Sequence, residues 1–164
     1  MTVGSLFAGI GGIEIGFIQA GSQILWAIER DHKCCLTYRH NHKGIPLTEA
    51  DIYDANPHSL SPVDAIVAGF PCQPFSVAGQ QRGFSDVRGN LFYEVIRFAQ
   101  AIQPRVIFLE NVQNLQEHDG GRTFITIYNA LVKNGYYVRY RVMRASTYGN
   151  VPQIRDRIYI VAFR

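Results

Sequence analysis

Three cysteines in 164 residues are too few, and odd in number, for a disulfide framework. No basic segment followed by an apolar core opens the chain, so no secretory leader is read at Met1. The expectation is an intracellular, cytoplasmic protein from a reducing compartment. No apolar run approaches the ~20 residues that span a bilayer, so no membrane partner is expected. Repeats, low-complexity tracts and charge blocks are also missing, which argues against solenoids and disordered tails. Charge is nearly balanced at +3. That is compatible with an anionic partner but is weak evidence for one. Hydrophobic residues make up 47% of the chain, enough for one packed domain, 1–164.

The pattern alternates between strand and helix. Residues 3–7, 24–29, 47–52, 64–69 and 106–109 read as short apolar strands. Helices are predicted from Ile13 to Gly21, from an Asp31 cap to about His42, over 91–101 and over 122–133. Residues 136–144 and 157–163 read as two last strands with no helix between them, so one should run antiparallel. The expected fold is α/β, a Rossmann-like doubly wound sheet, mostly parallel, with an antiparallel strand near the C-terminus.

Chemistry in such sheets gathers where strands end. The first strand runs into Phe7-Ala8-Gly9-Ile10-Gly11-Gly12 and then a helix. This turn lets a ligand approach the backbone, although glycines alone can serve only to make a tight turn. A dinucleotide fingerprint would need glycine at position 14. Glu14 stands there, and at a helix start it should repel a pyrophosphate. Glu29 ends the second strand and suits ribose hydroxyls. Asp51, at the end of the third, suits an adenine amino group. A nucleoside cofactor without a pyrophosphate, such as S-adenosylmethionine, fits this set.

The fourth strand ends in Gly69-Phe70-Pro71-Cys72-Gln73-Pro74-Phe75-Ser76. Prolines bar helix and ladder here, so a stiff loop carrying a candidate nucleophile, Cys72, is predicted. Residues 73–90 are expected to form a long functional loop. Glu110 lies at the next strand end, and Arg155 and Arg157 alternate near the last strand. Singly these could be a buried thiol, a capping acid and a solvated pair. Their common position at strand ends favours a site. Cys34 and Cys35, with His32, His40 and His42, lack zinc spacing, so no metal is expected. Trp26, Tyr136, Tyr137 and Tyr140 are expected in the core or as cross-strand pairs.

Together, Ser5–Gly12, Gly69–Ser76, Arg88-Gly89-Asn90-Leu91-Phe92, Glu110-Asn111-Val112 and Gln153-x-Arg155-x-Arg157 resemble the ordered motifs of the DNA cytosine-C5 methyltransferases. The resemblance covers essentially the whole chain. It implies an S-adenosylmethionine-dependent methyltransferase sheet and methyl transfer to C5 of a flipped-out cytosine in double-stranded DNA through a Cys72–C6 adduct. By this resemblance Glu110 supplies a proton at N3, which requires a raised pKa, while Arg155 and Arg157 bind the base carbonyl and orient Glu110 or the backbone phosphates. Phe7, Ala8, Gly9, Ile10, Gly11, Gly12, Glu29, Asp51, Ile52, Pro71 and Leu91 would form the cofactor site. Gln73, Ser76 and Arg88 would meet DNA. Asn150 interrupts the commoner Gly-Val-Pro-Gln pattern, a one-residue loop variation before the last strand.

The family's target-recognition domain and final two motifs are not found in these 164 residues. A second polypeptide carrying them, or a missing C-terminal part of the same one, is therefore expected, with weak activity and weak cofactor binding for this chain alone. An exposed apolar patch near Phe7 and Phe17 is the corresponding structural expectation. Two alternatives remain: a non-catalytic remnant that binds cofactor or DNA, and an RNA-directed cytosine-C5 methyltransferase. Phe70-Pro71-Cys72 favours DNA, because the RNA branch usually carries Pro-Pro-Cys. A prokaryotic or phage source linked to restriction-modification is also implied by the resemblance.

Overall fold

The structure is a computed structural model, described here over residues 1–71 and 91–164. Seven strands form one sheet in the order β3-β2-β1-β4-β5-β7-β6. These are β1 (Thr2–Leu6), β2 (Gln23–Glu29), β3 (Leu47–Glu49), β4 (Ala65–Ala68), β5 (Val106–Val112), β6 (Tyr137–Arg144) and β7 (Asp156–Phe163). The first five pair in parallel, and β7 lies antiparallel to both β5 and β6. The α/β doubly wound expectation therefore holds, and β7 is its antiparallel strand.

The helices are α1 (Gly12–Gln19), α2 (His32–Asn41), α3 (Leu91–Ile102), α4 (Arg122–Lys133) and a short α5 (Ala145–Tyr148). Asp31 caps α2 by accepting the Cys34 N–H at 2.8 Å, as the sequence predicted. In α3 the buried residues Leu91, Phe92, Val95, Ile96, Phe98 and Ala99 recur at helical spacing and make one apolar face. The helix stops where Gln103 turns left-handed (φ 55°) before Pro104, which cannot continue it. α4 ends on Gly135 (φ 86°), with the Tyr136 N–H returning to the Leu131 carbonyl at 3.2 Å.

The main core lies between the sheet and α3 and α4. It includes Leu6, Trp26, Ile66, Phe92, Phe98, Leu109, Ile127 and Leu131. Burying one such side chain contributes about 1.5–3 kcal/mol. On the opposite face α1 covers Val3, Ile24 and Val67 through Ile13 and Phe17, and Tyr38 of α2 packs on Ala27. No helix among the described residues covers the β5–β7–β6 part of this face. Phe108, Tyr159, Val161, Met143, Arg139 and Arg141 there line an open cleft of about 660 Å³.

Several boundaries differ from the sequence reading. β3 ends at Glu49, which puts Asp51 and Ile52 in the turn beyond it. β5 runs on to Val112, so Glu110 and Asn111 are strand residues rather than a strand-end turn. Their pairing with Tyr159 and Ile158 of β7 extends the ladder past the apolar run. Trp26 and Tyr136 are core residues, whereas Tyr137 is exposed and stacks near Phe163 on the neighbouring strand. Tyr140 is also exposed and meets the ring of Phe124 edge-on. The predicted loop over 73–90 lies outside the described residues, as do Cys72, Gln73, Ser76 and Arg88.

Candidate functional site

Strand order reverses between β1 and β4. The β1–α1 crossover leads towards β2 and β3, while β4 leads towards β5, so the loops after β1 and β4 diverge. A crevice opens at such a switch point. Two adjoining clefts occupy it. One, of about 250 Å³, is lined by Phe7, Gly9, Glu29, Asp51, Ile52, Gly69, Pro71 and Leu91. The other, of about 720 Å³, is lined by Phe7, Ala8, Gly9, Gly12, Phe17, Gly69, Glu110, Arg155 and others. Seven expected cofactor residues thus meet in the first cleft, and Ala8 and Gly12 join in the second.

Ile10 and Gly11 line neither cleft. Ile10 is 53% exposed, and Gly11 turns its carbonyl to His42 Nε2 at 3.0 Å. A side chain on Gly11 would overlap the His42 ring, and its φ of 91° favours glycine in any case. Phe7 also has positive φ (56°), an uncommon conformation for an aromatic residue and one seen at functional turns. Nothing in the sequence pattern marks that strain.

Acids hold the turn in place. Glu29 Oε2 accepts the Gly9 N–H at 2.8 Å, and Oε1 accepts the N–H groups of Arg30 and Asp31, each at 2.8 Å. Its carboxylate therefore faces the cleft already oriented by the backbone. Asp51 Oδ1 accepts the Tyr53 N–H at 3.1 Å, and Oδ2 meets Arg30 at 3.3 Å. Both acids keep lone pairs for hydroxyl or amino donors. Open space around Gly9 and Gly12 leaves the turn's backbone approachable. These features fit a nucleoside.

The second half of the site lies on β5 and β7. Glu110 Oε1 forms an ion pair with Arg157 Nε at 2.9 Å, and both side chains are about one-fifth exposed. A Cβ on Gly69 would stand 3.6 Å from Glu110 Oε2, so the carboxyl sits beside the strand end that leads to Cys72. Asn111 is buried and donates Nδ2–H to the Phe70 carbonyl at 2.9 Å. It also accepts the Val112 N–H at 2.8 Å. This amide fixes the backbone two residues before Cys72, a role that its position next to Glu110 in sequence does not reveal. Arg155 is exposed, precedes β7 and lines both the glycine-turn cleft and the open sheet face.

Glu14 departs from expectation. It bars the third glycine of a dinucleotide motif, but its carboxyl is fully buried and lines neither cleft. Repulsion of a pyrophosphate is therefore not its role. Neither oxygen has a hydrogen-bond partner among the described residues. Burial pushes its pKa up. The nearby Ser5 hydroxyl, without hydrogen-bond geometry, and the His42 charge offset this only in part. The unfolded carboxyl gives up its proton above its ordinary 4.5, while the folded one keeps it. Over that interval the folded state binds more protons, so stability falls as pH rises. Glu14→Gln is expected to remove that slope, raising the melting temperature at pH 7–8 and leaving it unchanged near pH 4. Equal shifts at both pH values would contradict the assignment.

No group of three or more His, Cys, Asp or Glu side chains that could hold a metal occurs among the described residues. No helix among them is long and apolar enough to cross a membrane.

A family model for the C-5 cytosine-specific DNA methylase matches residues 1–164. The Type II methyltransferase M.Bsp6I of Bacillus sp. (strain RFL6) is 47% identical over 166 residues, covering 100% of this chain and 52% of the relative. M.BanI of Aneurinibacillus aneurinilyticus is also 47% identical, over 95% of this chain and 37% of its own length. The chain thus spans about half or less of these relatives. Among solved structures, one described as a DNA modification methyltransferase encoded within an E. coli prophage superposes with TM-score 0.82 at 26% identity, over 100% of this chain and 47% of that one. Spodoptera frugiperda DNMT2 gives 0.77 at 27% identity, over 99% and 50%.

Proposed function

We propose a reaction for this chain, which belongs to the C-5 cytosine-specific DNA methylase family: methyl transfer from S-adenosylmethionine to C5 of a flipped-out cytosine in duplex DNA. The observation that carries the proposal is the shared cleft. Phe7, Gly9 and Gly12 line it together with Glu110 and Arg155, so a cofactor's reactive end and a base-binding acid would meet in one space.

The cofactor, when bound, supplies an electrophilic methyl group. The adenosine would lie along Glu29 and Asp51, with Phe7, Ile52, Pro71 and Leu91 as apolar walls. Cytosine C5 is a weak nucleophile in its ordinary state. Cys72 as thiolate adds to C6, and Glu110 gives a proton to N3, so the electrons of the C5–C6 double bond become available at C5. After the methyl group passes to C5, leaving S-adenosylhomocysteine, a base takes the C5 proton, the C5–C6 double bond re-forms as the C6–S bond breaks, the Cys72 thiolate is returned and the N3 proton goes back to Glu110. Arg157 keeps Glu110 aimed at the base edge, and Arg155 is free to meet the base carbonyl or a phosphate. Attack at C6 requires the base to leave the stack. Gln73, Ser76 and Arg88 are proposed DNA contacts that follow Cys72 in sequence.

The single catalytic domain, 1–164, is proposed to act with further protein, supplied by a second polypeptide or by more of the same one. Two observations support this. The curated relatives extend well beyond the matched part. The cleft face along Phe17, Phe108 and Tyr159 is open.

The test is radiolabelling. The chain, mixed with a protein carrying the remaining family motifs and with tritiated cofactor, is expected to label duplex DNA in preference to tRNA. Labelling of tRNA alone would reverse the substrate assignment. Failure with every such partner would remove the two-part form of the proposal.

A further inference from the structure

The turn after β3 carries Asp51 and Ile52 into the smaller cleft, yet no helix beyond a single short turn at Pro57–Ser59 supports it. Its carbonyls need partners. Arg97 of α3 supplies them: Nη2 donates to the Ile52 carbonyl at 2.8 Å and Nη1 to the Ala55 carbonyl at 3.0 Å. Glu94, one helical turn earlier, holds the same guanidinium, accepting from Nε at 2.7 Å and lying 2.6 Å from Nη2. The Glu94 carboxylate is mostly buried and fixes the fork's direction. Arg97 lines neither cleft of the switch point. It touches the segment from behind, across the core face.

We propose that Arg97 is a positioning residue for adenine selectivity. It sets the geometry of residues 51–55, in which Asp51 meets the amino edge of the base. The inference rests on the cofactor reading given above. Nε, Nη1 and Nη2 reach Glu94, Ala55 and Ile52 from three separate points of one plane, and lysine cannot copy that span, because its three donors radiate from a single nitrogen. A purely structural strut would weaken all ligands alike. A strut that places Asp51 affects adenine more than a base lacking the amino group.

The experiment measures calorimetric affinity of the full chain for S-adenosylhomocysteine and for its inosine counterpart, with amide exchange of residues 51–55 in the free protein. Arg97→Lys is the main variant. Glu94→Gln leaves the guanidinium in place but removes its guide, and keeps the test usable where Arg97→Lys folds poorly. Arg97→Lys is expected to lose about tenfold in adenine-nucleoside affinity, to lose less for the inosine compound, and to exchange faster at residues 51–55. Glu94→Gln follows in the same direction to a smaller extent. Equal losses for both nucleosides, or faster exchange with unchanged affinity, would make Arg97 structural only and overturn the proposal. A wild-type chain that binds neither nucleoside, alone or with a protein carrying the remaining family motifs, overturns the cofactor reading itself. In that case unchanged exchange in both variants would also overturn the strut.

Discussion

Cys72→Ala is expected to abolish methyl transfer in the reconstituted protein, a loss of more than roughly 10³-fold in turnover, with little change in melting temperature or cofactor affinity. The expectation follows from the substrate. Cytosine C5 acquires nucleophilic character only when a group adds at C6, and alanine has nothing to add. Electrostatic assistance from Glu110 and Arg157 cannot substitute, because protonation at N3 alone draws electrons away from C5. The strand end that leads to Cys72 has supports of its own. Asn111 holds the Phe70 carbonyl, and Phe70 packs near the Phe92 ring with centroids 5.7 Å apart. The check has two parts. Tritium transfer to duplex DNA should vanish. DNA containing 5-fluorocytosine, whose fluorine cannot be lost as a proton, should trap a covalent complex with wild type and none with the variant. A trapped complex with Cys72→Ala would assign the attack to another group.

Much of this site can be read from the chain without coordinates, and the reason is physical. In an open parallel sheet every strand end faces the same crevice, so Phe7, Glu29, Gly69 and Glu110 become neighbours through topology alone. The parts that the pattern did not reveal depend on contacts across the fold. Arg97 reads as one polar residue on an amphipathic helix, yet it holds a turn more than forty residues earlier. Glu14 reads as a charge at a helix start, yet the packing of α1 and α2 buries it. The polarity of Glu110 and Asn111 suggests an earlier end to β5 than the structure has. They remain in the strand because the antiparallel partner β7 satisfies their backbone. The left-handed Phe7 has no sequence signature, since aromatic residues rarely adopt that conformation.

The core gives the other large expected effect. Gly4→Ala should destabilise the chain by about 3 kcal/mol, which at this size lowers the melting temperature by roughly 6–12 °C. Gly4 stands opposite Trp26 in the β1–β2 ladder, where the register shifts between Val3 and Gly4. The Trp26 ring lies across the space above the glycine, so a Cβ there would overlap it. The ring cannot easily retreat. It is 4% exposed, its Nε1–H donates to the Ser61 carbonyl at 2.9 Å, and Phe98 of α3 lies against it with centroids 6.5 Å apart. Either the indole loses that hydrogen bond or β1 moves. Movement of β1 would carry the Phe7 turn with it, so cofactor affinity should fall alongside stability. Trp26→Phe separates the causes, because a smaller ring without the N–H leaves room for the methyl group. In that background Gly4→Ala should cost much less, a coupling of about 1–3 kcal/mol in a double-mutant cycle followed by urea denaturation. Additive losses would mean that the strand, not the indole, resists the methyl group, and the steric account would fail.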